Sequence, residues 1–278
     1  MKIIFIADFF VEDVLGGGEL NNHELINMLI SDGRSVKKIH SHMVTENFIE
    51  ENRNSKFIVA NFINLSQKCI EALYNKDYII YEHDHKYLIT RNPGDFKDFL
   101  APKEAIINSI FYVKAAAVLC QSKFHLDIVN KNLNIDNLIN LSGNIWSERS
   151  LNVMLKQNDL PKLETCAIIN SSIEHKNTRE AVMYCQYKKI PFKLINSENY
   201  EEFLRLMGEN KAFVFFPKTP ETLSRTVVEA RMMGMGVIVN KMIGATGEPW
   251  YEKKGPELIN IIRNKRTEIK EKVLEAIG

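Results

Sequence analysis

Two imidazoles and two carboxylates fall within five residues, Tyr81-Glu82-His83-Asp84-His85, directly after the apolar run Tyr78-Ile79-Ile80. That combination suits three roles: a metal site, an acid/base centre, or a polar loop at a strand end. His83 and His85 are two apart, so on a continuing strand both would face one side. With Asp84 they would make a partial ligand set for zinc or iron. The remaining ligands would have to come from elsewhere, because the chain has no CxxC, HExxH or DxD motif to supply them.

Three further constellations carry chemistry. Gly16-Gly17-Gly18-Glu19 stands just after the first apolar run and just before a helical pattern. Three glycines let the backbone approach a ligand, and a helix start favours an anion or polar oxygens. In "FFPKTPETLSRTVVEARMMGMGVIVN" (215–240), Thr219 reads as a cap, Pro220 as the first helical turn, and Glu221 follows. Such a start would offer the backbone N–H groups of Thr222 and Leu223 to a phosphate. Glu229 lies among Val227, Val228, Ala230 and Met232, an apolar setting in which a carboxylate needs partners. The two donors of a ribose cis-diol would serve. In "SSIEHKNTREA" (171–181), Lys176 sits in a strand-to-helix loop, a natural partner for a diphosphate.

Alternation of short β-rich runs with longer helical patterns predicts how these groups are positioned. Strands are expected at residues 2–8, 35–41, 57–62, 77–82, 116–122 and 138–144, then at 165–171, 192–197, 212–218 and 236–241. Helical patterns lie at 18–33, 177–188, 200–209 and 220–234, and a terminal helix begins at Pro256. Several strands are apolar throughout, as in parallel sheets covered on both faces. The pattern restarts after a polar stretch, which predicts an α/β chain of two Rossmann-like domains, 1–147 and 148–278, with a linker near 147–163. Ligands bind such sheets at the carboxyl ends of the strands, and all four constellations follow strands.

Composition narrows the class. The chain has 278 residues, 45% of them apolar, and a formal net charge of +1, so nothing in the total points to a nucleic acid or a membrane surface. The first 147 residues hold 15 Lys and Arg against 18 Asp and Glu, leaving 21 against 17 for the rest; the second domain is the better home for an anion. Cys69, Cys120, Cys166 and Cys185 are widely spaced and read as buried thiols of a cytoplasmic protein. The apolar run at the N-terminus is cut off by Asp8 and is too short for a signal or membrane segment.

These motifs resemble the GT-B glycosyltransferases, in particular the retaining group called family 4. Glu221-Thr-Leu-Ser-Arg-Thr-Val-Val-Glu229-Ala is similar to that family's E-x7-E motif, "MMGMGVIV" to the turn and strand after it, "GGGE" to its first glycine-rich loop, and Lys176 to the lysine of its second phosphate-binding loop. "YEHDHKYLITRN" resembles the HDH segment of bacteriophage DNA α-glucosyltransferases. The resemblance implies two Rossmann-like domains facing across a cleft, with the terminal helix (255–278) packing back on the first. It implies transfer of a sugar from a nucleotide diphosphate sugar to a hydroxyl, with retention and without metal or other cofactor, by a monomer or homodimer. By it, Glu229 binds the ribose and Glu221 the donor sugar, while Thr222, Leu223 and Lys176 hold the diphosphate. Gly17 and Gly18 let the first domain close on donor and acceptor. His83 orients a sugar hydroxyl. Asp84 takes the acceptor proton or stabilises charge at the anomeric carbon, and Arg91 pairs with a phosphate. The family's usual arginine is Ser171 here, for which Arg179 or Arg225 would have to compensate. The acceptor is either a hydroxymethylated pyrimidine in phage DNA or a saccharide. The alternative is a nucleotide-sugar-binding protein without activity. A dinucleotide enzyme is disfavoured, since GxGxxG is absent.

Overall fold

A computed structural model of the chain describes all residues, 1–278. The chain divides into two compact units, Met1–Ile145 with Thr267–Gly278, and Trp146–Arg266.

The first unit runs β1 (Lys2–Ala7), α1 (Gly17–Ser31), β2 (Ser35–His40), α2 (Glu46–Glu51), β3 (Lys56–Val59), α3 (Gln67–Leu73), β4 (Tyr78–Tyr81), α4 (Ser109–Lys114), β5 (Val118–Cys120), α5 (Lys123–Leu133) and β6 (Leu138–Asn140). Its six strands are parallel, in the order β2-β1-β3-β4-β5-β6. The apolar-throughout strands are explained by two cores. In β1, Ile4 and Ile6 enter one with Phe57, Tyr78 and Phe111, while Ile3, Phe5 and Ala7 enter the other with Leu25, Leu29 and Tyr81. Period-two alternation makes both faces apolar.

The second unit runs α6 (Glu148–Asn158), β7 (Leu163–Ile169), α7 (Thr178–Lys188), β8 (Phe192–Ile195), α8 (Tyr200–Gly208), β9 (Asn210–Phe215), α9 (Arg225–Met232) and β10 (Gly236–Val239). Its four parallel strands have the order β10-β9-β7-β8. The final helix, α10 (Gly255–Ile277), gives Leu258, Ile259 and Ile262 to the core of the second unit, and Ile269, Val273 and Ile277 to that of the first. No helix is long and apolar enough to cross a membrane.

All ten expected strands are present. Two expectations fail. The polar stretch taken as a linker is mostly α6, capped by Ser147, whose Oγ accepts from the Ser150 N–H, and anchored by Leu151 and Met154 in the core. The helix expected over 220–234 begins only at Arg225, because the residues before it pair elsewhere. Glu221 bridges Ile243 in parallel fashion, its N–H donating to the Met242 carbonyl, and Leu223 accepts from Ala245 N–H. Those bonds take the backbone out of the helical register, and Ser224 turns it with φ 73°.

Strand order reverses between β1 and β3 in the first sheet and between β7 and β9 in the second. A crevice opens at such switch points, outside the carboxyl ends of the strands.

Candidate functional site

In the first unit the chain ends of β1, β3 and β4 surround a cavity of about 280 Å³ that includes Asp8, Gly18, Glu19, His83, Asp84 and Arg91. Asp8 is fixed by Ser41 Oγ and by the N–H groups of Ile63 (2.9 Å) and Asn64 (3.0 Å). The glycine segment is the uncapped start of α1, and none of its three glycines has positive φ. Their use is room. A Cβ on Gly16 would stand 2.1 Å from the Glu19 carboxylate, and one on Gly18 would touch the His83 ring at 3.5 Å. Burial raises the carboxyl pKa of Glu19, with Asp8 and Asp84 adding to the effect.

His83 is held at both ring nitrogens. Nε2 lies 2.6 Å from Asn22 Oδ1, and Nδ1 meets the Gln121 amide nitrogen. With those amide orientations Nε2 donates to Asn22 and Nδ1 accepts from Gln121.

Behind it lies a buried charge network. Glu82 accepts from Lys86 Nζ (2.5 Å), the Tyr112 hydroxyl and the N–H groups of His83 and Asp84. Burial pushes the Glu82 carboxyl up to about 7 against the pull of Lys86. Lys86, 2% exposed, also donates to Asp84, and Arg91 reaches the other Asp84 oxygen at 3.3 Å. Burial alone would raise the Asp84 carboxyl, but Lys86 and Arg91 hold it at about 2, ionised at neutral pH. Burial depresses His85 to about 4, and its Nδ1 meets the Tyr87 hydroxyl at 3.1 Å. The two imidazoles of the motif therefore serve different partners. His125 is a packing residue, fully buried, edge-on to His85 and bonded at Nδ1 by the Gln121 N–H. No group of three or more His, Cys, Asp or Glu is arranged to hold a metal ion.

In the second unit, the loop after β7 and the segment after β9 bring Lys176 and Glu221 together, Nζ to Oε1 at 2.8 Å. Lys176 also stands over the Phe215 ring at 5.7 Å. Ser171 closes its own turn by accepting from the Ile173 N–H, and Arg179 is exposed on the first turn of α7. Glu229 is 1% exposed and accepts from Trp146 Nε1 (2.8 Å) and the Tyr200 hydroxyl (2.5 Å), with Arg225 Nε at 3.6 Å. Arg225 lies over the Trp146 ring at 4.3 Å. The expectation for Thr222 and Leu223 as the first N–H groups of a helix is overturned. They precede the helix start, and the Leu223 side chain is wholly buried in the core.

Neither protein-family models nor curated proteins match the chain. Solved structures do. One is an alpha-glucosyltransferase in complex with UDP and a 13-mer DNA containing an HMU base, at 11% identity and TM-score 0.53, covering 100% of this chain and 95% of that one. A second is Anabaena HepE in complex with UDP and glucose, at 14% identity and TM-score 0.53, covering 97% and 92%. A third is a glycosyltransferase from Rickettsia africae, at 12% identity and TM-score 0.55, covering 99% and 97%.

The chain has the GT-B glycosyltransferase fold. Within this GT-B chain the two switch points hold the sequence-predicted residues His83, Asp84, Gly17 and Gly18 in one unit, and Lys176 and Glu221 in the other. Sequence reasoning named Glu19 with its glycines without giving it a role, and missed Asn22, Lys86, Gln121 and Tyr200. Lys86 had a signal, a cation four residues after Glu82 and beside an HDH run; Asn22 stands one helical turn after Gly18. Gln121 and Tyr200 come from other elements, and only packing brings them to His83 and Glu229.

Proposed function

We propose that this protein is a retaining glycosyltransferase that moves a sugar from a nucleotide diphosphate sugar, with uridine as the base, to a hydroxyl acceptor. The observation that carries the reading is the Lys176–Glu221 pair at the switch point of the second sheet, in a chain whose fold is that of glycosyltransferases solved with UDP. Lys176, oriented by Glu221, stabilises the charge that develops on the departing diphosphate. Glu221 takes hydroxyls of the donor sugar. Glu229, aimed by Trp146 and Tyr200, takes the ribose. In the first unit His83 presents a fixed ring edge to the transferred sugar. Asp84, held ionised, is a weak base, which favours the electrostatic role at the anomeric carbon. The acceptor oxygen bonds that carbon, the bond to the diphosphate oxygen breaks with its electron pair, and the hydroxyl proton passes to the leaving UDP. No metal enters this reading. Four free, buried cysteines support work in a reducing cytoplasm.

Calorimetry with UDP and GDP, followed by UDP release from UDP-sugars, tests it. UDP should bind and Glu229→Ala should weaken binding at least tenfold; unchanged affinity in that variant removes Glu229 from the donor site. A second reading, a nucleotide-sugar-binding protein without turnover, is supported by Ser171, whose side chain closes a loop where the family uses a cation. Tight UDP-sugar binding with no UDP release would select it.

A further inference from the structure

A second cavity in the first unit, also about 280 Å³, shares Ile63 and Arg91 with the cavity of Asp84. Its other walls are aliphatic at Leu88, Ile89 and Ile107, with Phe62 beside them, and polar at Gln67 and Asn108. Lys86 lines this cavity, and its Nζ, committed to Glu82 and Asp84, stands 5.5 Å from the centre of the Phe62 ring. The rim is apolar. Ile63, Ile89 and Ile107 are 54%, 61% and 40% exposed, and large aliphatics clustered in the open mark a binding surface. The rim is also pinned, Ile89 N–H to Ala105 O at 3.0 Å and Ile107 N–H to Tyr87 O at 2.8 Å, so the cavity is built into the backbone.

We infer that this cavity binds the apolar part of the acceptor, and that the acceptor is a hydroxylated small molecule with an aryl or short alkyl body. The inference rests on Asp84 marking the acceptor side. The volume is just below the roughly 300 Å³ at which ordinary small-molecule pockets begin, so it takes one ring or a short chain. Through the shared Ile63 and Arg91 edge, a hydroxyl on that body reaches the cavity of Asp84. A saccharide would set hydroxyls against Ile63, Ile89 and Ile107, which offer them no partner, and leave the rest to Gln67 and Asn108, while a DNA acceptor calls for phosphate contacts that this rim, with Arg91 already paired to Asp84, does not provide.

The test uses the full chain and UDP-glucose with three acceptors: benzyl alcohol, maltose, and an oligonucleotide carrying a hydroxymethylated pyrimidine. The expected result is a KM for benzyl alcohol at least tenfold below that for maltose, no use of the oligonucleotide, and at least a tenfold rise in the benzyl alcohol KM in Ile89→Asp and Ile107→Asp with the UDP-glucose KM unchanged. Both side chains are exposed, so folding is retained, which thermal melting checks. Preference for maltose or the oligonucleotide, or a benzyl alcohol KM indifferent to both substitutions, overturns the inference. If no UDP is released with any acceptor, the transferase reading fails, and ligand-observed NMR of benzyl alcohol then decides the cavity. Binding lost in Ile89→Asp sustains it; no binding to the native protein overturns it.

Discussion

Asp84 and His85 are adjacent, yet burial acts on them in opposite ways. Lys86 and Arg91 overcome the desolvation of Asp84, whereas at His85 burial outweighs the opposing pull of Asp84, and Nε2 is buried without a partner. Asp84→Asn keeps the shape and removes the charge. Transfer should fall by roughly 10²–10³-fold, the scale of a lost electrostatic contact in a dry site, with UDP affinity unchanged in calorimetry. Retained transfer would remove Asp84 from the chemistry. His85 makes a pH prediction. Its folded pKa, about 4, is below the unfolded value of 6.5, so on acidification the unfolded chain takes the proton first. Stability is therefore lost as pH falls from about 6.5 toward 4. At pH 5 the loss from this residue is about 2 kcal/mol. Glu82, raised to about 7, acts in the reverse sense across pH 4.5–7, and both proteins share that contribution when His85→Gln is compared with native. The native-minus-variant difference in urea-unfolding free energy should grow less favourable to the native by that amount between pH 7 and pH 5; a flat difference would show that His85 titrates normally.

Element boundaries decide what the site residues can do. The segment from Pro220 to Ser224 is bound to residues 242–245, so the E-x7-E spacing is not a helical face. Glu221 lies on an extended strip beside Lys176, while Glu229 lies in α9 beneath Trp146. Ser224, with φ 73°, makes the turn between them. A non-glycine residue in that region is strained by about 1 kcal/mol, and glycine is not. Ser224→Gly should raise the unfolding free energy by up to about 1 kcal/mol, and Ser224→Val should lower it, both read from urea midpoints at constant slope. In the first unit, residues 82–108 contain no strand or long helix, only three single 3-10 turns pinned by the Leu88–Ile106 bridge. Long irregular connections in compact units usually carry function, and this one carries His83, Asp84, Lys86 and Arg91.

Across the whole molecule, α10 belongs to both cores. Truncation after Arg266 takes Ile269, Val273 and Ile277, all 5% exposed or less, from the first unit. At about 1.5–3 kcal/mol each, their loss is comparable to the entire stability of an ordinary domain. The truncated protein should be aggregated or lack a cooperative unfolding transition for the first unit; a native-like transition would show that α10 is dispensable there. The sequence by itself determined the ten strands, the two-unit order and the residues at the strand ends, because apolar period-two runs and glycine or polar interruptions are local signals. It read residues 147–163 as linker because polar surface positions masked Leu151 and Met154, and began α9 too early because Pro220 and Glu221 look like a helix start. Only the tertiary structure decided that Lys86 joins Glu82 to Asp84, that Asn22 and Gln121 fix His83, and that Trp146 and Tyr200 hold one oxygen of Glu229. Those partners come from elements far apart in sequence, and no local spacing encodes which buried donor will satisfy which buried acceptor.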